Sequence, residues 1–220
     1  MNSMFEMIRF YSLLIKIFII ASLCTFSAKA VDVKDLYQAS VPVNSQSARD
    51  RLIGIKDAMR NVLIKVGGNK LVTEDELMQK AIKQPNQYFL QFRYQTLSDV
   101  LHLVVDFDET KINHLFSSAQ LPLWGSLRPQ ILLWFVHENK LSRDIVASSS
   151  ESEFALQIKT LAKKRGLPVI FPLMDLEDIT NISVVDLWGR FAEPVSLTSQ
   201  RYFPEKIVII RMSNHSLVDT

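Results

Sequence analysis

The spacing of hydrophobic positions changes several times along the chain, and each change marks an element. Leu52, Ile55, Ala58, Met59, Val62, Leu63 and Val66 recur at steps of three and four, the repeat of one helix face. Ser47 precedes the run with Asp50 three residues on, a helix start, and Gly67-Gly68-Asn69 supplies the stop. The segment Asp35 to Val43 before it reads as a strand. Thr73 and Glu76 form a second start signal, for a helix over residues 74–84 that ends before Pro85. Beyond it the period falls to two. Tyr88, Leu90, Phe92 and Tyr94 alternate with other residues, and Leu101, Leu103, Val105 and Phe107 do so again, which predicts a hairpin whose aromatic row packs on a core. Asp108 then caps a helix carrying Ile112, Leu115, Phe116 and Ala119. Together these elements predict an α+β unit over residues 31–120.

The pattern differs after LPLWGSLRP, where two prolines and a glycine interrupt the periodicity. ILLWFV, residues 131–136, is a continuous apolar run of the kind covered on both faces of a sheet. Ser150 with Glu153 starts a helix striped by Phe154, Ile158, Leu161 and Ala162 and ending at Arg165-Gly166. VIFPL is a second strand, Ser183 and Asp186 open a short helix through Leu187 and Trp188, and KIVIIRM is a third strand. Strand, helix and strand in succession imply a parallel crossover. Residues 121–220 therefore read as a small α/β unit with a mostly parallel sheet.

Residues 1–30 carry a different signal: Arg9 and Lys16 precede the apolar run IFIIASLCTF, and Ala28-Lys29-Ala30 has the small-x-small form of a signal-peptidase site. The reading is an export signal cleaved after Ala30. The apolar run after Lys16 is shorter than the roughly 20 residues that span a bilayer, and Leu23 before Cys24 is too bulky for a lipobox. Contact with the membrane is thus expected only through the signal before cleavage, and the mature chain is placed in the periplasm. Removing residues 1–30 takes away Arg9, Lys16 and Lys29 against the single acid Glu6, which turns the formal net charge of +2 into zero. A balanced chain lacks the overall positive field that nucleic-acid binding draws on, so no nucleic acid is expected. The one cysteine, Cys24, leaves with the signal, so the mature chain has no disulfide, thiolate metal site or cysteine nucleophile. Arg49, Lys56, Arg60 and Lys65 give the first helix a basic side interrupted by Asp50 and Asp57, which reads as a solvated face.

Candidate chemistry gathers at the presumed strand ends. Asp175, Glu177 and Asp178 follow VIFPL, and His137 and Glu138 follow ILLWFV. Ligands of parallel sheets collect beyond the carboxyl ends of the strands, so His137, Glu138, Asp175 and Asp178 share one rim if those strands are neighbours. Such a rim offers a divalent-cation site, or an acid/base pair in Glu138 and Asp178. The alternative is that Asp175 or Asp178 caps the next turn, in which case Asn serves nearly as well at both positions. Trp124, Gly125, Arg128 and Trp188 are recognition candidates, because a Trp and an Arg beside a Pro-Gly loop stack and hydrogen-bond, or else pack beneath that loop. No G-x-S-x-G elbow or G-x-x-x-x-G-K-[ST] loop occurs, and six glycines leave little to cradle a phosphate. Catalytic residues, metal ligands and cofactors are all read as none.

DAMRNVLIKVGGN, LPLWGSLRPQILLWF, RGLPVIFPLMDLED, VVDLWGRF and SQRY together resemble the exported bacterial family known as domain of unknown function 2066. The resemblance runs from about Asp35 to Met212 and implies an envelope protein with no established activity. It also implies a C-terminal extension beyond Thr220. The function expected is a non-enzymatic cell-envelope module whose partner is another envelope protein or a cell-wall component. The alternative is a hydrolase, or a small-ligand or cation binder, built on the acidic rim.

Overall fold

The computed structural model describes residues 30–139 and 142–213, the side chain of Asn139 excepted. The proposed signal up to Lys29 lies outside the described residues. The chain folds as a mixture of helices and sheets, in keeping with the α+β reading.

The first unit is built on helix α1 (Ala48–Gly67), whose cap is as the sequence indicates: the Ser47 side chain accepts from the Asp50 amide, and Gly68 closes the helix in the left-handed region. Its stripe of Ile55, Ala58, Met59, Val62, Leu63 and Val66 is buried. It lies on a three-stranded antiparallel sheet ordered β2 (Gln38–Pro42), β4 (Val100–Phe107), β3 (Phe89–Leu97). Gly54 permits the close approach: a Cβ there would stand 2.8 Å from Val43 and 2.9 Å from Leu103. Helices α2 (Glu76–Lys83) and α3 (Glu109–Ser118) add Met78, Ala81, Ile112 and Phe116 to the same core.

Four expectations for this unit need correction. The strand is shorter than Asp35 to Val43, because a turn over residues 34–37 folds Leu36 into the core. Thr73 does not open the second helix; residues Leu71–Glu74 form a 3-10 turn and Asp75 accepts from the Leu77 and Met78 amides. Lys65 is not solvated but buried, its ammonium donating to the carbonyls of Asp35 (2.9 Å) and Gln38 (2.8 Å). The aromatic row is only partly buried. A bulge at Leu90 breaks the alternation, so Phe89, Phe92 and Tyr94 share the inner face while Leu90 is exposed. The strand is also at an edge, where Arg51 covers the Phe92 ring at 5.4 Å.

The second unit centres on β6 (Ile131–Asn139). Along one side runs β9 (Lys206–Met212), parallel from Ile131 opposite Lys206 to His137 opposite Met212. The other side is shared: β8 (Val169–Ile170) pairs in parallel with Ile131 and Leu132, and β7 (Ser142–Ile145) pairs antiparallel with Val136 to Asn139. The sheet is therefore mixed. VIFPL shrinks to two strand residues because Pro172 has no N–H to give to a ladder. Helix α4 (Glu153–Arg165) packs on one face with Phe135 and Phe171; its cap is Ser152 rather than Ser150. The other face is covered by α5 (Leu176–Asn181), α6 (Val184–Gly189) and α7 (Ala192–Ser199), and Ile182 just after α5 joins Leu187 and Val195 in the core there. Ser183 and Asp186 form the reciprocal cap that the sequence indicates. On this face Trp134 donates from Nε1 to Ser199 Oγ at 2.9 Å, so the buried indole N–H is satisfied. Two-residue strands β1 (Val31–Asp32) and β5 (Leu127–Arg128) pair antiparallel where the units meet.

Candidate functional site

Asp175 and Asp178 lie at the end of the Phe171-to-Met174 segment, where Met174 takes a positive φ of 55° to turn the chain into α5. Asp175 caps that helix, accepting from the Asp178 amide at 3.1 Å. Both carboxylates then meet one arginine from the other end of the unit. Arg201 grips Asp175 with two N–H donors, at 2.7 and 2.8 Å, and reaches Asp178 Oδ1 at 3.1 Å. Asp178 is fully buried, and its second oxygen accepts from the Met174 amide at 2.8 Å and from the Tyr202 hydroxyl. That hydroxyl in turn accepts from the Leu173 amide at 2.8 Å. The hydrogen bond from Arg201, followed by the helix-start amides, holds the Asp175 carboxyl down at about 2. Burial first, then the neighbouring carboxylate of Asp178, pushes the Tyr202 phenol up to about 12.

The sequence RGLPVIFPLMDLEDI is thus answered by SQRY. The acids form a closed lock that ties the loop after β8 to the turn after α7. Asp178 accepts from three donors without access to solvent, so Asn is not its equivalent, contrary to the capping view of both acids. The acids stand out in the sequence, whereas Arg201 and Tyr202 do not; their available signal is a cation beside a phenol in SQRY.

His137 and Glu138 do not lie beyond β6 but inside it, and consecutive strand residues point to opposite faces. Glu138 is held by Arg143 of β7, at 2.9 Å from Nε and 2.8 Å from Nη2. His137 points the other way, its ring 4.9 Å from that of Phe154 and its buried Nε2 without a hydrogen-bond partner. The four rim residues therefore have three separate sets of partners. Among the described residues no group of three or more His, Cys, Asp or Glu is arranged to hold a metal ion.

Trp124 and Arg128 do come together, and they form a joint. Arg128 is fully buried, with its guanidinium 4.2 Å from the Trp124 ring. Among the described residues it has no carboxylate partner. Its N–H groups donate to five carbonyls: Gly125 (3.1 Å), Trp124 (3.1 Å) and Lys65 (2.6 Å) on one side, Arg165 (2.8 Å) and Gly166 (2.9 Å) on the other. One side chain thereby ties the end of α1 to the end of α4. Burial lowers the basicity of both Arg128 and Lys65. Gly166 is required here: its φ is +63°, and a Cβ would stand 2.8 Å from Arg128 Nη1 and 2.9 Å from Lys65 Cγ. Trp188 lies between two other arginines, Arg143 at 4.0 Å and Arg211 at 5.8 Å from its ring, and its carbonyl accepts from Arg211.

Comparison with known families overturns the resemblance to domain of unknown function 2066. The matching family is a different one, described as Domain of unknown function (DUF8605), and it covers residues 30–125. The expectations of a bacterial envelope family and of a missing C-terminal extension lose that support. The matched span coincides with the first core, which gathers residues from Val33 to Leu121. No curated protein and no solved structure matches the chain.

Proposed function

We propose that the chain is a non-enzymatic interaction module, exported by residues 1–30, that acts in the periplasm by presenting the second unit to another envelope protein or a wall component. The unit boundary near residue 120 is part of this reading, and the extent of the family match supports it. The observation that carries the function is apolar side chains left uncovered on helices that pack together: Leu176 (81% exposed), Val185 (68%), Ile179 (61%) and Leu197 (60%). The candidate acids are engaged by Arg201, Tyr202 and Arg143, which leaves no free acid/base pair at the expected rim. No helix of the described residues is long and apolar enough to cross a membrane.

A photocrosslinking residue at Val185 or Leu176 tests the proposal in cells. A discrete adduct is expected from these positions and not from Lys56 on the first unit. Absence of any adduct, together with turnover of a substrate by the purified protein, would replace the module with an enzyme.

A further inference from the structure

KIVIIRM has the composition of an interior strand and the position of an edge strand. In β6, a run of similar composition, Leu132 to Val136 are 0–4% exposed. No residue of β9 is buried, and Ile207, Val208 and Ile210 are 38–40% exposed. Among the described residues β9 pairs with β6 alone, so its outer edge presents unpaired backbone donors and acceptors. Proteins usually blunt such an edge with a bulge, a proline, a mid-strand charge or a short strand. The edge of the other sheet, β3, has the Leu90 bulge and Gln91, Arg93 and Gln95; β7 is short and polar. β9 has none of these devices, and its register with β6 is unbroken over its length. Charges lie only toward its ends, at Glu205, Lys206 and Arg211.

We propose that this edge pairs with β9 of a second copy of the chain, antiparallel and centred on Val208. Opposite pairs in an antiparallel ladder alternate between two hydrogen-bonding types, so a twofold pairing must place one residue opposite itself. Centring on Val208 sets Ile207 opposite Ile209, Lys206 opposite Ile210 and Glu205 opposite Arg211, and the twofold repeats each pair. Apolar side chains meet across the middle, and at each end an acid meets the guanidinium of Arg211, whose Nη1 also donates to the Trp188 carbonyl of its own copy. Centring on Ile207 sets Lys206 opposite Val208 and Glu205 opposite Ile209, centring on Ile209 keeps Val208 opposite Ile210 but sets Ile207 opposite Arg211, and either choice loses both ion pairs. The edge is therefore self-complementary in one register, and two sheets join into one that continues through both copies. This inference is independent of which envelope partner the helices take.

Sedimentation equilibrium on the purified chain tests it. A reversible dimer is expected, with β9 amides gaining hydrogen-exchange protection as concentration rises. Glu205→Arg alters an exposed side chain, so its melting temperature should stay that of the wild type while two like-charged pairs weaken the dimer about tenfold. The double change Glu205→Arg with Arg211→Glu should restore part of that loss, because it re-pairs the charges but also removes the donor to the Trp188 carbonyl. Ile210→Lys, which sets a second ammonium opposite Lys206, should also break the dimer. The proposal is overturned by a monomer at every concentration, or by a dimer indifferent to both Glu205→Arg and Ile210→Lys.

Discussion

Helix α1 and the trio α5 to α7 each cover one face of a sheet with Leu, Ile and Val, yet they bury them differently. The 20-residue α1 sustains one buried stripe from Ile55 to Val66, and of the expected stripe only Leu52, in the first turns, is exposed. The trio divides its residues among helices of 6, 6 and 8, each too short to present a continuous stripe. Only a few of its apolar side chains, such as Leu187 and Val195, reach the sheet. The difference teaches that the two units hold together by different means. The first has a single filled core; the second has two smaller cores, adds the polar joints at Arg128 and Asp178, and leaves apolar side chains exposed on the trio.

Arg128→Met tests the joint and should have the largest effect. It leaves five buried or partly buried carbonyls without their donor, in place of a charge fully compensated by backbone dipoles. Each carbonyl left buried without a donor is expected to cost about 1–3 kcal/mol, against a typical total stability of about 5–15. Denaturant unfolding followed by circular dichroism should shift to lower midpoint and separate into two steps as the units lose their tie. A single cooperative transition at the wild-type midpoint would mean that the joint contributes little and that packing alone couples the units.

A matched pair of truncations sharpens the contrast between the cores. Leu63→Ala removes side-chain volume from a site with no solvent access and should cost about 2–5 kcal/mol. Leu197→Ala removes the same atoms from an exposed position on α7 and should change stability by less than about 0.5 kcal/mol. If both cost the same, the second unit would be better filled than its exposed side chains indicate.

The parts legible in the sequence are those whose signal is local. Helix α1 announces itself through a long 3.6 period with a cap at each end, and α6 through Ser183 and Asp186. Strand β7 was hidden because Ser142, Arg143 and Asp144 carry no apolar alternation; the strand exists by pairing with β6. KIVIIRM was legible as a strand, but its edge position depends on which neighbours the fold supplies. The site was half legible for the same reason. Asp175 and Asp178 stood out as acids at a strand end, whereas the residue that neutralises them, Arg201, lies in another segment and meets them only through the tertiary fold. Likewise, Arg128 beside a Pro-Gly loop looked like a recognition residue until burial placed five carbonyls around it.

The smallest effect expected concerns pH. Asp175 has its carboxyl held at about 2 in the folded chain, against an ordinary value of 3.8, by Arg201 and by the start of α5. A carboxyl with a depressed folded pKa binds fewer protons when folded than when unfolded, so its contribution is fully present above the ordinary value. That contribution is lost as the pH falls from about 4 through about 2, where the proton returns to the folded state as well. Asp175→Asn keeps the cap on α5 but removes the titration and the paired charge facing Arg201. Denaturation midpoints measured between pH 5 and pH 2 should therefore fall less steeply in the Asn variant than in the wild type, with the two curves converging at the acid end. Because the side chain is at the surface, the gap near neutrality should be modest and should narrow in high salt. Parallel curves across that range would show that the Arg201 grip on Asp175 adds nothing to the lock, leaving Asp178 and Tyr202 to hold it.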